Sequence, residues 1–257
     1  MKNTFYLLIL VSNFCFSQNW IKADYSYIDI ENDNDTIRSV LLTNNDESVF
    51  RLYDTRKNGF NPNGSSFKII HTDSLSNFSY SNLEKTFTRM TLYSKEFVYS
   101  DSTSKKISWD ITKNTKKIGD YICQEAKTKL NGRLYTVWYT TKIPVIMGPL
   151  KLNGLPGLIV EVIEDSGWLC RIFLNNVTNV QEKKEFDFCK KYVTQHKKLM
   201  NYKEYSDKMT DAMVSRKTRF YAVGAEKNVT FTFRKGAFAN MVDVPENLEK
   251  KIDEVHD

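Results

Sequence analysis

Histidine, cysteine and proline are scarce: three histidines, four cysteines and five prolines in 257 residues. His71, His196 and His256 lie far apart, so no pair stands one helical turn apart around a glutamate, the spacing a zinc protease needs. The chain also lacks a Cys-x-x-Cys pair, a Gly-x-Ser-x-Gly elbow and a glycine-rich phosphate loop. These absences remove the common redox, acyl-transfer and nucleotide-binding chemistries, and neither a cofactor nor a metal is expected. No apolar run approaches the roughly 20 residues of a membrane helix. A net charge of +6 without a basic stripe interleaved with aromatics argues against nucleic acid. Internal repeats and low-complexity linkers are missing too.

Residues 1–17 read as a secretory signal peptide. Lys2 supplies the charged start, Phe5 to Val11 the apolar run, and Cys15 and Ser17 the small residues ahead of a cut before Gln18. The apolar run is too short to anchor, and Phe14 is too bulky for lipid attachment at Cys15. The expectation is an exported chain, periplasmic first and extracellular second, with no transmembrane segment after cleavage. Residues 18–257 then form a single β-rich domain, long enough to bury a sizeable core.

Most of that domain reads as strands. Trp20 to Ile30 alternates apolar and polar residues, and similar patches occupy Ile37–Leu42, Val49–Tyr53, Phe67–Ile70, Phe87–Tyr93 and Phe97–Tyr99. Asn44 to Asp46, Lys57 to Ser66 and Ser79 to Asn82 read as the breaks between them. Tyr121–Leu130 and Leu134–Thr141 flank Asn131-Gly132, a strong hairpin signal. Leu158–Ile163 and Trp168–Leu174 flank a second turn. So many strands predict a mainly β fold: a large curved antiparallel sheet or partial barrel, open and bowl-like, because a flat array would leave long exposed edges. From about 182 to 213 glycine and proline vanish, which predicts one or two covering helices. Phe220–Val223 and Val229–Phe233 read as a returning strand pair, and Pro245 as the start of a short helix.

The densest run of backbone control is Asn153-Gly154-Leu155-Pro156-Gly157-Leu158-Ile159-Val160. Glycine reaches angles closed to other residues and proline fixes its own φ, so three large hydrophobes among them predict an inward-anchored turn before a strand. Upstream stand Trp109, Gly119-Asp120-Tyr121-Ile122-Cys123, Gly132-Arg133, Val137-Trp138-Tyr139-Thr140, Ile143-Pro144 and Gly148-Pro149. In this order residues 105–175 resemble the core of the GLPGLI family, exported proteins of Bacteroidetes-type bacteria. The domain is also similar to the N-terminal domain of some bacterial peptide-N-glycanases. Asp120 is an extra residue against the family pattern. The resemblance implies a fold and an exported location rather than a reaction, with Gly154, Leu155, Pro156, Gly157, Leu158 and Ile159 as a structural motif.

Several constellations follow. Trp138, Tyr139 and Trp168, with Arg133 in a hairpin turn, are candidate binding residues on an aromatic-rich concave face. That face suits a glycan, lipid or peptide ligand, or an outer-membrane receptor or other envelope protein. Cys123 and Cys170 are the candidate disulfide in an exported chain with an odd number of cysteines after cleavage. Thr36, Ser74 and Ser102 sit in Asp-Ser/Thr-apolar triplets resembling an O-glycosylation sequon of the same bacterial group. The function expected is a non-catalytic envelope accessory or binding protein. The alternatives are a periplasmic hydrolase using paired carboxylates on the concave face, drawn from Asp101, Asp110, Glu161, Glu164 and Asp165, and a copper-binding protein. The copper reading rests on His196, Met200, Met209 and Met213, whose imidazole and thioethers suit copper(I).

Overall fold

The computed structural model describes residues 20–29, 35–53, 75–92, 95–102, 107–165 and 170–227, with 251 and 254. Residues 1–19, Phe67–Ile70, Ser74, Trp168, Val229–Phe233 and Pro245 therefore lie outside the described residues. Twelve strands form one open sheet. In chain order they are β1 (Trp20–Asp29), β2 (Asp35–Thr43), β3 (Glu47–Tyr53), β4 (Asn77–Asn82), β5 (Thr86–Leu92), β6 (Lys95–Asp101), β7 (Asp110–Ile118), β8 (Tyr121–Leu130), β9 (Arg133–Thr140), β10 (Leu158–Glu164), β11 (Cys170–Val180) and β12 (Met200–Asn201). Helix α1 (Lys184–Thr194) precedes β12, and helix α2 (Tyr202–Lys227) follows it. The spatial order is β12-β6-β5-β4-β3-β2-β1-β11-β10-β9-β8-β7. Every pairing is antiparallel except β12 on β6. The expected mainly β fold, an open sheet with helices towards the C-terminus, is therefore the fold observed.

Side chains alternate between faces along each strand, and the two faces are covered differently. The inner face carries the main core: Tyr25, Leu41, Phe50, Val137, Val162 and Ile172, together with Leu150, Leu152 and Leu155 from the loop between β9 and β10. Further along the same face, α2 packs Tyr205, Met209 and Met213 on Met90, Phe97 and Tyr99 of β5 and β6. On the outer face, α1 buries Phe186, Cys189 and Val193 against Val40, Val49, Phe78, Tyr80 and Val98. Among the described residues α1 contacts β3, β4 and β5, and α2 contacts β6 and β12. Among the described residues the main packing of each helix falls away from β7 to β10, and Val180 at the end of β11 joins the α1 cluster.

Three local readings change. Asn77–Asn82 is strand β4 and not a break. Its serines face inward, where Ser79 Oγ donates to the Leu150 carbonyl at 3.3 Å and Ser81 Oγ pairs with Thr86 Oγ1 at 2.9 Å. Meanwhile Phe78 and Tyr80 bury on the α1 side. Phe220–Val223 is the last part of α2 and not a strand. Asp120 is also explained: with Gly119 it makes the two-residue turn from β7 to β8, closed by the Ile118–Tyr121 pair. Gly119 has φ +55°, the positive angle such a hairpin requires at its first central residue.

Candidate functional site

The signature loop is a structural brace. Leu155, Leu158 and Ile159 are buried, whereas Pro156 and Gly154 face solvent. Trp109 Nε1 donates to the Asn153 carbonyl at 2.9 Å, and the Gly154 amide bonds the Ile146 carbonyl at 2.8 Å. Gly154 has φ +96°. Gly157 is needed for a different reason: a Cβ there would stand 2.1 Å from the Thr140 carbonyl oxygen. The loop's Lys151 reaches Asp101 on β6 at 2.8 Å, with both side chains almost wholly buried and the ammonium over the rings of Tyr99 and Tyr202. Tyr25 on β1 donates its hydroxyl to the Ile159 carbonyl at 2.7 Å. The loop thereby ties β9–β10 to β6, near the other edge of the sheet, and the start of β10 is held by β1.

Two of the expected binding residues belong to this interior. Tyr139 is buried in the main core and bonds Gln124 Oε1 at 3.0 Å. Arg133 is buried where β9 begins, next to the Asn131-Gly132 turn, in which both residues have positive φ. Neither offers a rim contact, because the alternation of β9 sends 133, 135, 137 and 139 inward.

Trp138 points the other way, to the outer face. The register places Glu125 of β8 opposite Trp138, Glu161 of β10 opposite Trp138 from the other side, and Phe173 of β11 opposite Glu161. Carboxylate, aromatic, carboxylate and aromatic thus form one row across four strands. Both carboxylates lie low on the face, with side-chain exposures of 10% and 5%. Lys116 Nζ donates to Glu161 Oε2 at 2.6 Å and stands 4.2 Å from the centre of the Trp138 ring. Arg171 reaches Glu161 Oε1 through Nε at 2.8 Å and also through Nη2. Burial pushes the Glu161 carboxyl up, but hydrogen bonds and charge from Lys116 and Arg171 more than offset it, leaving its pKa below the ordinary value. Glu125 Oε2 accepts from Thr112 Oγ1 at 3.0 Å and Asn114 Nδ2 at 2.9 Å. Those donors come from an irregular stretch of β7 between Ile111 and Thr115, and bulges of this kind re-aim side chains.

The other expected constellations do not assemble. Cys123 is a free, buried thiol. Strand order puts Cys170 of β11 three positions from β8, about 14 Å away at ordinary strand spacing, too far for a bridge. Helix α1 ends at Thr194, so His196 and Met200 do not share a helix face. His196 lies tilted against the Tyr192 ring and 4.0 Å from Glu96, whereas Met209 and Met213 pack on the opposite face of the sheet. Among the described residues no group of three or more His, Cys, Asp or Glu side chains could hold a metal ion. The carboxylates also divide: Asp101 is paired with Lys151 inside, whereas Asp165 accepts from Thr136 on the outer side at 2.5 Å. Among the described residues Glu47, Glu96, Glu161 and Asp207 have carboxyls lowered from the ordinary value, the wrong direction for a general acid. Thr36 and Ser102 are exposed, on β2 and just past β6.

Glu125, Lys116, Asn114, Arg171 and Phe173 were not among the expected site residues. One of them was within reach. The two-residue Asn131-Gly132 turn pairs Leu130 with Arg133, and stepping outward along both strands brings Glu125 opposite Trp138. Glu161 and Phe173 depend on a register shift in β10, which sequence spacing does not reveal.

A family profile described as "N-glycanase peptide, N-terminal domain" matches residues 27–208. No curated protein matches. Two crystal forms of PNGF-II are similar, at 16% and 15% identity with TM-scores of 0.49 and 0.48; each alignment covers 74% of this chain and 32% of that one. The chain thus spans about a third of the length of PNGF-II. A LolA superfamily protein from Nitrosomonas europaea aligns at 9% identity and a TM-score of 0.28, over 69% of this chain and 93% of the other. With its profile covering well over half of the residues, this chain belongs to the family of peptide N-glycanase N-terminal domains.

Proposed function

We propose that this chain is a non-catalytic accessory or binding module of the cell envelope, exported by its N-terminal leader and of the GLPGLI type. The observation that carries the reading is the outer row of Glu125, Trp138, Glu161 and Phe173, which lies away from the main packing of both helices among the described residues. A half-buried tryptophan with fixed polar neighbours is a binding surface, because the ring offers apolar area and the donors around it set orientation. Both carboxylates are engaged by their own lysine, arginine, threonine or asparagine, which suits holding a ligand and not moving a proton. A family named for an N-glycanase supports a glycan or glycopeptide as the ligand, ahead of a lipid or an envelope protein. The periplasm is the expected location. Secretion is tested by fractionating cells that express the full chain, where retention in the cytoplasm overturns export. Function is tested by screening the secreted protein against glycans and glycopeptides for binding and for turnover together. Binding without turnover is expected; product formation abolished by a single carboxylate change overturns the accessory reading.

A further inference from the structure

Resting on that reading, we infer that the outer row is a two-ring saccharide strip that takes an uncharged oligosaccharide, one sugar on Trp138 and another towards Phe173. Trp138 and Phe173 flank Glu161 from its two neighbouring strands, so about 10 Å separates their backbone positions. Their spacing is set by backbone hydrogen bonding and not by mobile loops, which gives the two contacts a fixed distance. Donors line the row: Lys116 stands over Trp138 and, with Arg171, is anchored on Glu161, while Asn114 bonds Glu125 and Lys127 lies 3.9 Å from it. Because the carboxylates lie beneath and the donors project, each donor is oriented before any ligand arrives, which lowers the ordering cost of binding.

Charge selects among ligands. Lys116 and Arg171 share Glu161, Lys127 stands by Glu125, Lys129 follows on the same face of β8, and Asp165 lies at its edge, four cations beside three carboxylates. These charges nearly cancel, so the strip lacks the one-sign field that concentrates a polyanion. What it offers is aromatic surface beside fixed hydrogen-bond donors. A pyranose matches that pairing, with an apolar carbon–hydrogen face for the ring and hydroxyl oxygens for the donors. An acyl chain requires an apolar cavity, and an open sheet face bearing Lys116, Arg171 and Lys127 does not provide one.

The test is titration calorimetry of the folded protein with neutral gluco-, manno- and chito-oligosaccharides, with a polyuronate and with polyglutamate, at low and high salt. At least one neutral oligosaccharide should bind, with affinity nearly independent of salt and higher for a tetrasaccharide than for a monosaccharide. Trp138→Ala and Phe173→Ala should each weaken that binding by about tenfold or more while leaving the melting temperature nearly unchanged. Trp138→Phe should restore part of it. Three results overturn the inference: no neutral oligosaccharide binds, a polyuronate or polyglutamate binds better with steep salt dependence, or Trp138→Ala leaves neutral-sugar binding intact. Those results leave the accessory reading standing, whereas turnover of a bound glycan overturns that reading instead.

Discussion

At the scale of single residues, the signature glycines do different jobs and should tolerate alanine differently. Gly157 is pressed against the Thr140 carbonyl, so Gly157→Ala forces backbone apart and should cost about 1–3 kcal/mol. A Cβ at Gly154 would meet Trp109 Nε1 at an ordinary 3.7 Å but φ is +96°, so Gly154→Ala should cost about 1 kcal/mol. Chemical denaturation of the two variants checks the order, and equal midpoints would contradict it. Lys151→Met removes the ammonium from a carboxylate that stays buried beside Tyr99, and should cost about 3–5 kcal/mol. Adding Asp101→Leu should recover part of that loss, since replacing both partners removes the buried charge. Burial pushes the Cys189 thiol up to about 12, and burial also raises Cys123, so neither supplies a thiolate near neutral pH. Alkylation of the native protein should therefore leave Cys123 and Cys189 unmodified, while the denatured chain reacts at both; mass mapping of the labelled peptides decides.

At the scale of elements, α1 is held by charge as well as by Phe186. Lys190 bonds Glu47, which also accepts from Tyr80 at 2.5 Å; Glu185 accepts from Arg51 at 2.8 Å and from Tyr53; Glu96 accepts from Tyr192 at 2.6 Å and Arg89 at 2.8 Å. Burial raises the Glu47 and Glu96 carboxyls, but these hydrogen bonds outweigh it and both pKa values fall below the ordinary 4.5. A carboxyl lowered on folding stabilises above its unfolded pKa, and that stability is lost as pH falls through the lowered value. The urea midpoint should accordingly drop below pH 4.5, and Glu47→Gln with Glu96→Gln should flatten that drop. An unchanged pH profile in the double variant would show that the latches do not stabilise α1. The same scale shows where sequence reading stopped. Strand β4 hid because serine and asparagine resemble a turn until the inward hydroxyls find partners across the sheet. The end of α2 hid because a short apolar patch fits either period.

At the scale of the whole molecule, the helices pack mainly on one half of the sheet, so among the described residues the β7–β10 half is the more open. The core of the open half is completed from inside by the β9–β10 loop, so its outer side is not needed for stability. Trp138→Ala should thus shift stability by less than about 1 kcal/mol, in contrast to about 3–5 kcal/mol for Phe186→Ala under α1. Parallel thermal melts test this, and a large loss at Trp138 would make the outer row part of the core.

The sequence by itself determined the β class, the Asn131-Gly132 hairpin, the helical character of 184–194 and the inward hydrophobes of the signature loop. Each of these follows from local period and turn chemistry, which act over a few residues. Only the tertiary structure decided which face of each strand stays open, that Tyr139 is core while Trp138 is surface, and that Glu161 joins Trp138 to Phe173. It also separated Cys123 from the strand of Cys170 and His196 from Met209. The reason is physical: strand order, register shifts and helix placement come from contacts between residues distant in the chain, and single-chain spacing carries no record of them.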